Sequence, residues 1–215
     1  MSALESEIQG YNEKIKAAMD EPDFAVLLRN AIVTSSQTSS QEKHSLLAAI
    51  VANRMAMPSE SLHALGSKIA CKSIAYLTPV QLRLTAVLTN LYETSPVNAP
   101  LPPGEFQVWL ERIFSPYFKL DYQDVDLMHL ESLSCISMNH LSLADLGAIL
   151  ATKNGGGFDK ELWVGSDAQL WASKCWREGR LGNARLTTVG TIIGINVSDI
   201  ISGEKTEWMQ GLGSK

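Results

Sequence analysis

The chain has 215 residues, 45% of them apolar, with 18 basic and 23 acidic side chains and a formal charge of −5. That composition excludes intrinsic disorder, and the acidic balance argues against broad electrostatic capture of nucleic acid or anionic lipid. The length suits one medium domain or two small ones, enough to bury a core without disulfides or metals. Cys71, Cys135 and Cys175 are odd in number and widely spaced, and the acidic start Met1 to Ile8 lacks a basic-then-apolar run. No signal peptide is read, and reduced thiols in a cytoplasmic protein are expected. The longest apolar stretch, Val189 to Ile201, is interrupted by Asn196, Ser198 and Asp199 and is too short to span a membrane.

In chain order, Leu4, Ile8, Tyr11, Ile15 and Met19 recur at alternating spacings of four and three behind a Ser2-x-x-Glu5 capping box. They predict a helix with one narrow apolar seam, suited to a partner helix or a symmetry mate, with docking in cis and in trans both open. Asp20 to Asp23 breaks this helix and starts another through Pro22, with Phe24, Leu27, Leu28, Ala31 and Ile32 as its buried face. The Ser/Thr/Gln run from Thr34 to Ser40 predicts a loop, because those side chains compete for the backbone. Ser39 and Glu42 then form a second capping box ahead of Leu46, Leu47, Ile50, Val51 and Arg54, and the pattern stops at Met57-Pro58. A further helix is expected from Ser59 to Tyr76. Thr78-Pro79-Val80-Gln81 is a strong start signal for the next, which carries Leu82, Leu84, Val87, Leu88 and Leu91.

Ser95 to Gly104 holds Pro96, Pro100, Pro102 and Pro103 and predicts an elbow. The expected organisation is therefore a helical bundle over 1–94, a proline-rich elbow at 95–104 and a mixed half over 105–215. Beyond the elbow, Phe106, Trp109, Leu110, Ile113 and Phe114 mark a helix stopped by Ser115-Pro116. Asp121 is expected to cap a helix carrying Val125, Leu127, Met128, Leu130 and Leu133, followed by an extended Cys135 to Met138. Helices are expected at Ser142 to Thr152 and Ser166 to Arg177, around a loop at Gly155-Gly156-Gly157. Ala184 to Thr187 predicts a short strand and Thr188 onward a last helix.

No catalytic, cofactor or metal residue emerges from these patterns. His129, Cys135 and His140 cluster in sequence, but their spacings of six and five match no zinc motif. The triple glycine lacks a Lys-Ser/Thr ending, and no serine sits in a nucleophile motif. Asp121, Asp124 and Asp126 are acids at a helix start, where the dipole favours them. One basic and aromatic concentration stands out: Lys174, Arg177, Arg180 and Arg185, near Trp163, Trp171 and Trp176. It could meet phosphates with tryptophan stacking, or simply complement a helix C-terminus.

Three phrases carry a family resemblance. Leu127-Met-His-Leu-Glu-Ser-Leu-Ser-Cys-Ile136 resembles the helix-then-strand phrase of winged-helix domains, with Ser134 where glycine is usual. Leu186-Thr-Thr-Val-Gly-Thr-Ile-Ile-Gly194 resembles their closing Leu-Thr-Pro-x-Gly phrase, with Thr188 where proline is usual. Phe24 to Leu28 with Leu77 to Leu82 is similar to the helical half of uncharacterised bacterial families related in pattern to the abortive-infection alpha proteins. The resemblance implies a mainly helical protein with a winged-helix-like carboxyl-terminal half and a part in bacterial anti-phage defence. It supplies no catalytic residue. The expectation is thus a non-enzymatic interaction or scaffold subunit assembling through Leu4, Ile8, Tyr11, Ile15 and Met19. The alternative is a nucleic-acid-binding regulator using Lys174, Arg177, Arg180 and Arg185, disfavoured because the presumptive reading helix carries Asp121, Asp124, Asp126 and Glu131 and no cation.

Overall fold

A computed structural model describes residues 16, 18–55, 57, 58 and 61–204. Leu4, Ile8, Tyr11 and Ile15 of the seam lie outside the described residues; Met19 lies within them. The chain divides into two compact units, 1–77 and 78–215. Among the described residues it is mainly helical, with one two-stranded antiparallel sheet.

The first unit contains α1 (Pro22–Ser36), α2 (Gln41–Arg54) and α3 (Leu62–Ser73), the last extended by a 3-10 turn at Ile74–Tyr76. Proline in the first turn of α1, with Asp23 beside it, makes the start that the sequence signals. Phe24, Leu27 and Ala31 meet Leu46, Leu47, Ile50 and Ile74 in the buried core. Two of the expected face behave differently: Leu28 is half-buried, and Ile32 is 61% exposed. Helix α1 also runs into the stretch expected as a loop. The buried Thr34 hydroxyl donates to the Cys71 carbonyl at 2.8 Å, so it braces α1 to α3 instead of competing for its own backbone. Asn30 adds a second brace, donating to the Lys68 carbonyl at 3.3 Å. The cap of α2 is Ser40, one residue after the expected Ser39, accepting from Lys43 N. Arg54, on the apolar stripe of α2, is buried because its guanidinium donates to Glu21 at 2.6 Å and to the Met57 carbonyl at 3.1 Å.

The second unit contains α4 (Pro79–Tyr92), α5 (Pro103–Phe114), α6 (Asp124–Ser132), β1 (Ile136–Met138), α7 (Leu146–Lys153), α8 (Lys160–Trp163), α9 (Asp167–Arg177), β2 (Ala184–Leu186) and α10 (Thr188–Ser202). Thr78 and Gln81 close the capping box of α4 in both directions. Helices α4 and α10 form the unit's most extensive pairing, and both are buried nearly all round, the pattern of central helices. Their approach needs Gly194, where a Cβ would stand 2.2 Å from Thr89 Oγ1 and 2.4 Å from the Thr85 carbonyl oxygen. Deeper along the pair, the buried Ser198 hydroxyl donates to Asn90 Oδ1 at 2.9 Å and fixes the helices' register.

The strands pair Ile136 with Leu186, Ser137 with Arg185 and Met138 with Ala184. Just before β1, α6 ends in a Schellman motif: Cys135 N bonds Leu130 O and Ser134 N bonds Glu131 O, both at 2.9 Å. Ser134 takes the left-handed φ of 56° that this motif demands, so it occupies the conformation for which glycine is usual. After β2, Thr187 caps α10 by accepting from Gly190 N, which shortens the expected strand by one residue and puts Thr188 at the first helical position.

Other expectations shift for local reasons. Helix α6 begins at Asp124 rather than being capped by Asp121, because Asp126 reaches back to Gln123 N at 3.0 Å. Its Val125 and Met128, expected inside, are exposed, while Leu127 and Leu130 are buried. Helix α7 starts at Leu146, since the backbone ahead of it is engaged elsewhere: Ala144 N bonds Gly182 O, and Ser142 O accepts from Asn183. The proline-rich segment 95–104 lies within the second unit, where the Asn154 side chain bonds both Leu101 N and Leu101 O, at 2.7 and 2.9 Å.

Candidate interaction surface

Helix α3 inverts the usual arrangement of a surface helix. Its buried face is small and partly polar: Ala64, Gly66, Ser67, Ala70 and Cys71. Its large apolar residues point outward, with Leu62 68%, Leu65 43% and Ile69 51% exposed, and Tyr76 of the following turn continues the row. Positions 62, 65, 69 and 76 keep the spacing of a heptad seam. Beside this row, α1 and the end of α3 enclose an open groove of about 540 Å³, lined by Val26, Val33, Arg29, Lys72 and Tyr76. The polar Asn30, Thr34 and Gln37 line it beside the two valines and the two cations.

Periodicity places Leu62, Leu65 and Ile69 on one face of a helix without showing which face is buried, so sequence reasoning missed them. The signal that could have found them is the row of small residues on the other face, which lets α3 lie close to α1. Of the expected seam, the described Met19 is 60% exposed while its neighbour Ala18 is buried, so this side chain turns away from the unit's own core.

Of the basic residues singled out in the sequence, Arg180 and Arg185 are engaged by other side chains. Arg180 is tied to Asp124 at 3.1 Å and donates to His140 at 3.0 Å. Arg185 lies over the Tyr92 ring, 4.5 Å from its centroid, and donates to the Tyr92 hydroxyl. Lys174 and Arg177 line two different clefts. Of the tryptophans, Trp176 and Trp163 are buried, and Trp176 donates to the Ala144 carbonyl at 2.6 Å.

The soft-ligand cluster is dispersed. His129 donates to Gln81 at 3.0 Å, and His140 meets Arg180. Burial pushes the Cys135 thiol up to about 12. Among the described residues no group of three His, Cys, Asp or Glu side chains could hold a metal ion, and all three cysteines are buried and free. No helix among them is long and apolar enough to cross a membrane.

A family model with the description ":-like" matches residues 1–165. No curated protein and no solved structure matches the chain.

Proposed function

The chain belongs to the ":-like" family, and we propose that it is a non-enzymatic interaction subunit that self-assembles through its first unit. The seam Leu4, Ile8, Tyr11, Ile15 and Met19 of one copy docks on the row Leu62, Leu65, Ile69 and Tyr76 of a second. The observation that carries this reading is the outward apolar row of α3, exposed in a unit whose own core is built without it. Exposed apolar patches of this kind mark contact surfaces.

Length and charge support the pairing. As a helix, the seam would span about 22 Å, and the α3 row spans about 21 Å at 1.5 Å per residue. Over residues 4–19 the segment carries Glu5, Glu7 and Glu13 with Lys14 and Lys16, its acids gathered toward the start, against Arg29 and Lys72 at the groove. Exposure of Met19 favours a partner in trans. Exchange of the same segment between two copies makes a closed, twofold assembly.

The second unit we read as a winged-helix-like half that serves protein contact. Its helix α6 offers Asp124, Asp126 and Glu131 and no Lys or Arg, which would repel a phosphate backbone. The resemblance to abortive-infection alpha proteins suggests anti-phage defence as the setting, and three free buried thiols fit the cytoplasm.

Light scattering after gel filtration tests the assembly. The unaltered chain should run as a dimer that dissociates on dilution. Ile8→Asp with Ile15→Asp, and separately Leu65→Asp with Ile69→Asp, should each give a folded monomer. A monomeric unaltered chain, or a dimer that survives both pairs of changes, would overturn the proposal.

A further inference from the structure

The second unit holds an open cleft of about 610 Å³ where residues 94–101, α5 and the end of α10 meet. The buried polar side chains that line it serve one another. Asn90 Oδ1 accepts from Ser198 and Thr94 at 2.9 and 3.3 Å, and Asn90 Nδ2 donates to the Ile113 carbonyl at 3.4 Å. What the cleft leaves open is apolar: Val97, Trp109, Ile113 and Ile201 line it, and Val97 is 85% exposed. The described residues end at its mouth, since Ser202 and Glu204 line it as well. Gly203 closes α10 with a left-handed φ of 72°, and its N–H bonds the Asp199 carbonyl at 2.9 Å. Glu204 N then donates to Ser202 Oγ at 3.1 Å, and the Glu204 carboxylate accepts from Arg112 of α5 at 3.0 Å. The chain therefore crosses from α10 towards α5 as it leaves the helix.

We propose that this cleft is the seat of the chain's own carboxyl-terminal segment, with the Trp208 side chain packed against Val97, Ile113 and Ile201. Residues 205–215 follow Glu204, and they open with the polar Lys205, Thr206 and Glu207 ahead of Trp208 and Met209. Four residues reach at most about 14 Å, so the indole is delivered close to the cleft mouth whatever path the backbone takes. Tryptophan is highly buried on average, and an aromatic side chain of its size removes roughly 150–250 Å² from water when it docks. The tether decides among occupants. A segment held on so short a linker has an effective concentration in the millimolar range, so a second copy or a free peptide of the same chemistry competes at a disadvantage. A charged ligand gains little here, because Arg112 and Glu204 already face each other.

Nuclear Overhauser contacts in the full chain, methyl-labelled at isoleucine and valine, test the seating. The Trp208 ring, assigned by its loss in Trp208→Ala, should show contacts to the methyls of Val97, Ile113 and Ile201. Those methyls should also lose their ring-current shifts in Trp208→Ala. Val97→Asp changes an exposed position and should abolish the Trp208 contacts to Ile113 and Ile201, while the indole resonances of the buried Trp163 and Trp176 stay in place and report an intact fold. A mixture of chains with labelled methyls and deuterated tryptophan and chains with unlabelled methyls and protonated tryptophan should show no Trp208 contact to a labelled methyl, because the segment docks on its own chain. Four results would overturn the proposal: no contact from Trp208, contacts that appear in the mixture and so come from a second copy, contacts unchanged in Val97→Asp, or contacts from the protons of a co-purified small molecule in the cleft.

Discussion

Ser134→Gly should stabilise the second unit, and the size of the gain follows from the end of α6. Ser134 holds φ at 56°, and its backbone is fixed there by its own bond to Glu131 O and by Cys135 N bonding Leu130 O. A side chain in the left-handed region costs about 1–2 kcal/mol. Removing it recovers that cost, less about 0.4–1 kcal/mol for the greater freedom of glycine in the unfolded chain. The net gain is about 0.5–1 kcal/mol, which raises the melting temperature by about 1–4 °C for a unit of this size. Ser134→Ala separates backbone from hydroxyl: it keeps the Cβ, so it should melt with the unaltered chain. Ser134→Val, with a branched Cβ in the same conformation, should melt lower. Calorimetry on the three variants decides the matter. A lower melting temperature for Ser134→Gly than for Ser134→Ala would refute the idea that the left-handed backbone is under strain.

Two further outcomes rest on close packing and on buried acids. Gly194→Ala should destabilise by about 2–3 kcal/mol, since the Cβ would stand 2.2 Å from Thr89 Oγ1 and must push α10 off α4; denaturant titration measures it. Burial raises the thiols of Cys71 and Cys135 from 9.0 to about 12, and the phenols of Tyr92 and Tyr117 from 10.0 to about 12. The folded chain keeps these protons where the unfolded chain has released them, so stability is full below pH 9 and is lost as pH rises towards 12. Lys153 acts in the opposite sense: burial lowers it from 10.5 to about 8, so the unfolded chain binds the extra proton between those values and stability rises through that window. Urea midpoints should therefore climb slightly from pH 8 to 9 and fall above it, and Cys71→Ala should flatten the fall.

Local signals were legible where one residue type answers one backbone need. Thr78-Pro79-x-Gln81 announced the start of α4, and Ser166 and Thr187 sit where the helices behind them begin. Ser134 sits in the left-handed conformation for which glycine is usual. What stayed hidden depends on long-range partners. Thr34 reads as a loop residue until Cys71 comes beside it, and Ala144 as a helical residue until Gly182 takes its N–H. Leu62, Leu65 and Ile69 look like any apolar face, because periodicity carries no information about which side of a helix a small-residue neighbour will cover. In the basic stretch, adjacency in sequence does not reveal that Arg180 pairs with Asp124 and that Arg185 lies over Tyr92.

The pairing of α4 with α10 sets an order of events during synthesis. The first unit has all of its core residues by Leu77, so it can close while the rest of the chain is still being made. Helix α4 emerges next, yet the helix that covers it follows only after α9 and β2. Until then Leu84, Val87 and Leu88 lack their main partner, and the strand β1 waits equally long for β2. The nascent second unit is thus the part of the molecule most in need of a chaperone, and a translational pause before residue 188 would lengthen its exposure.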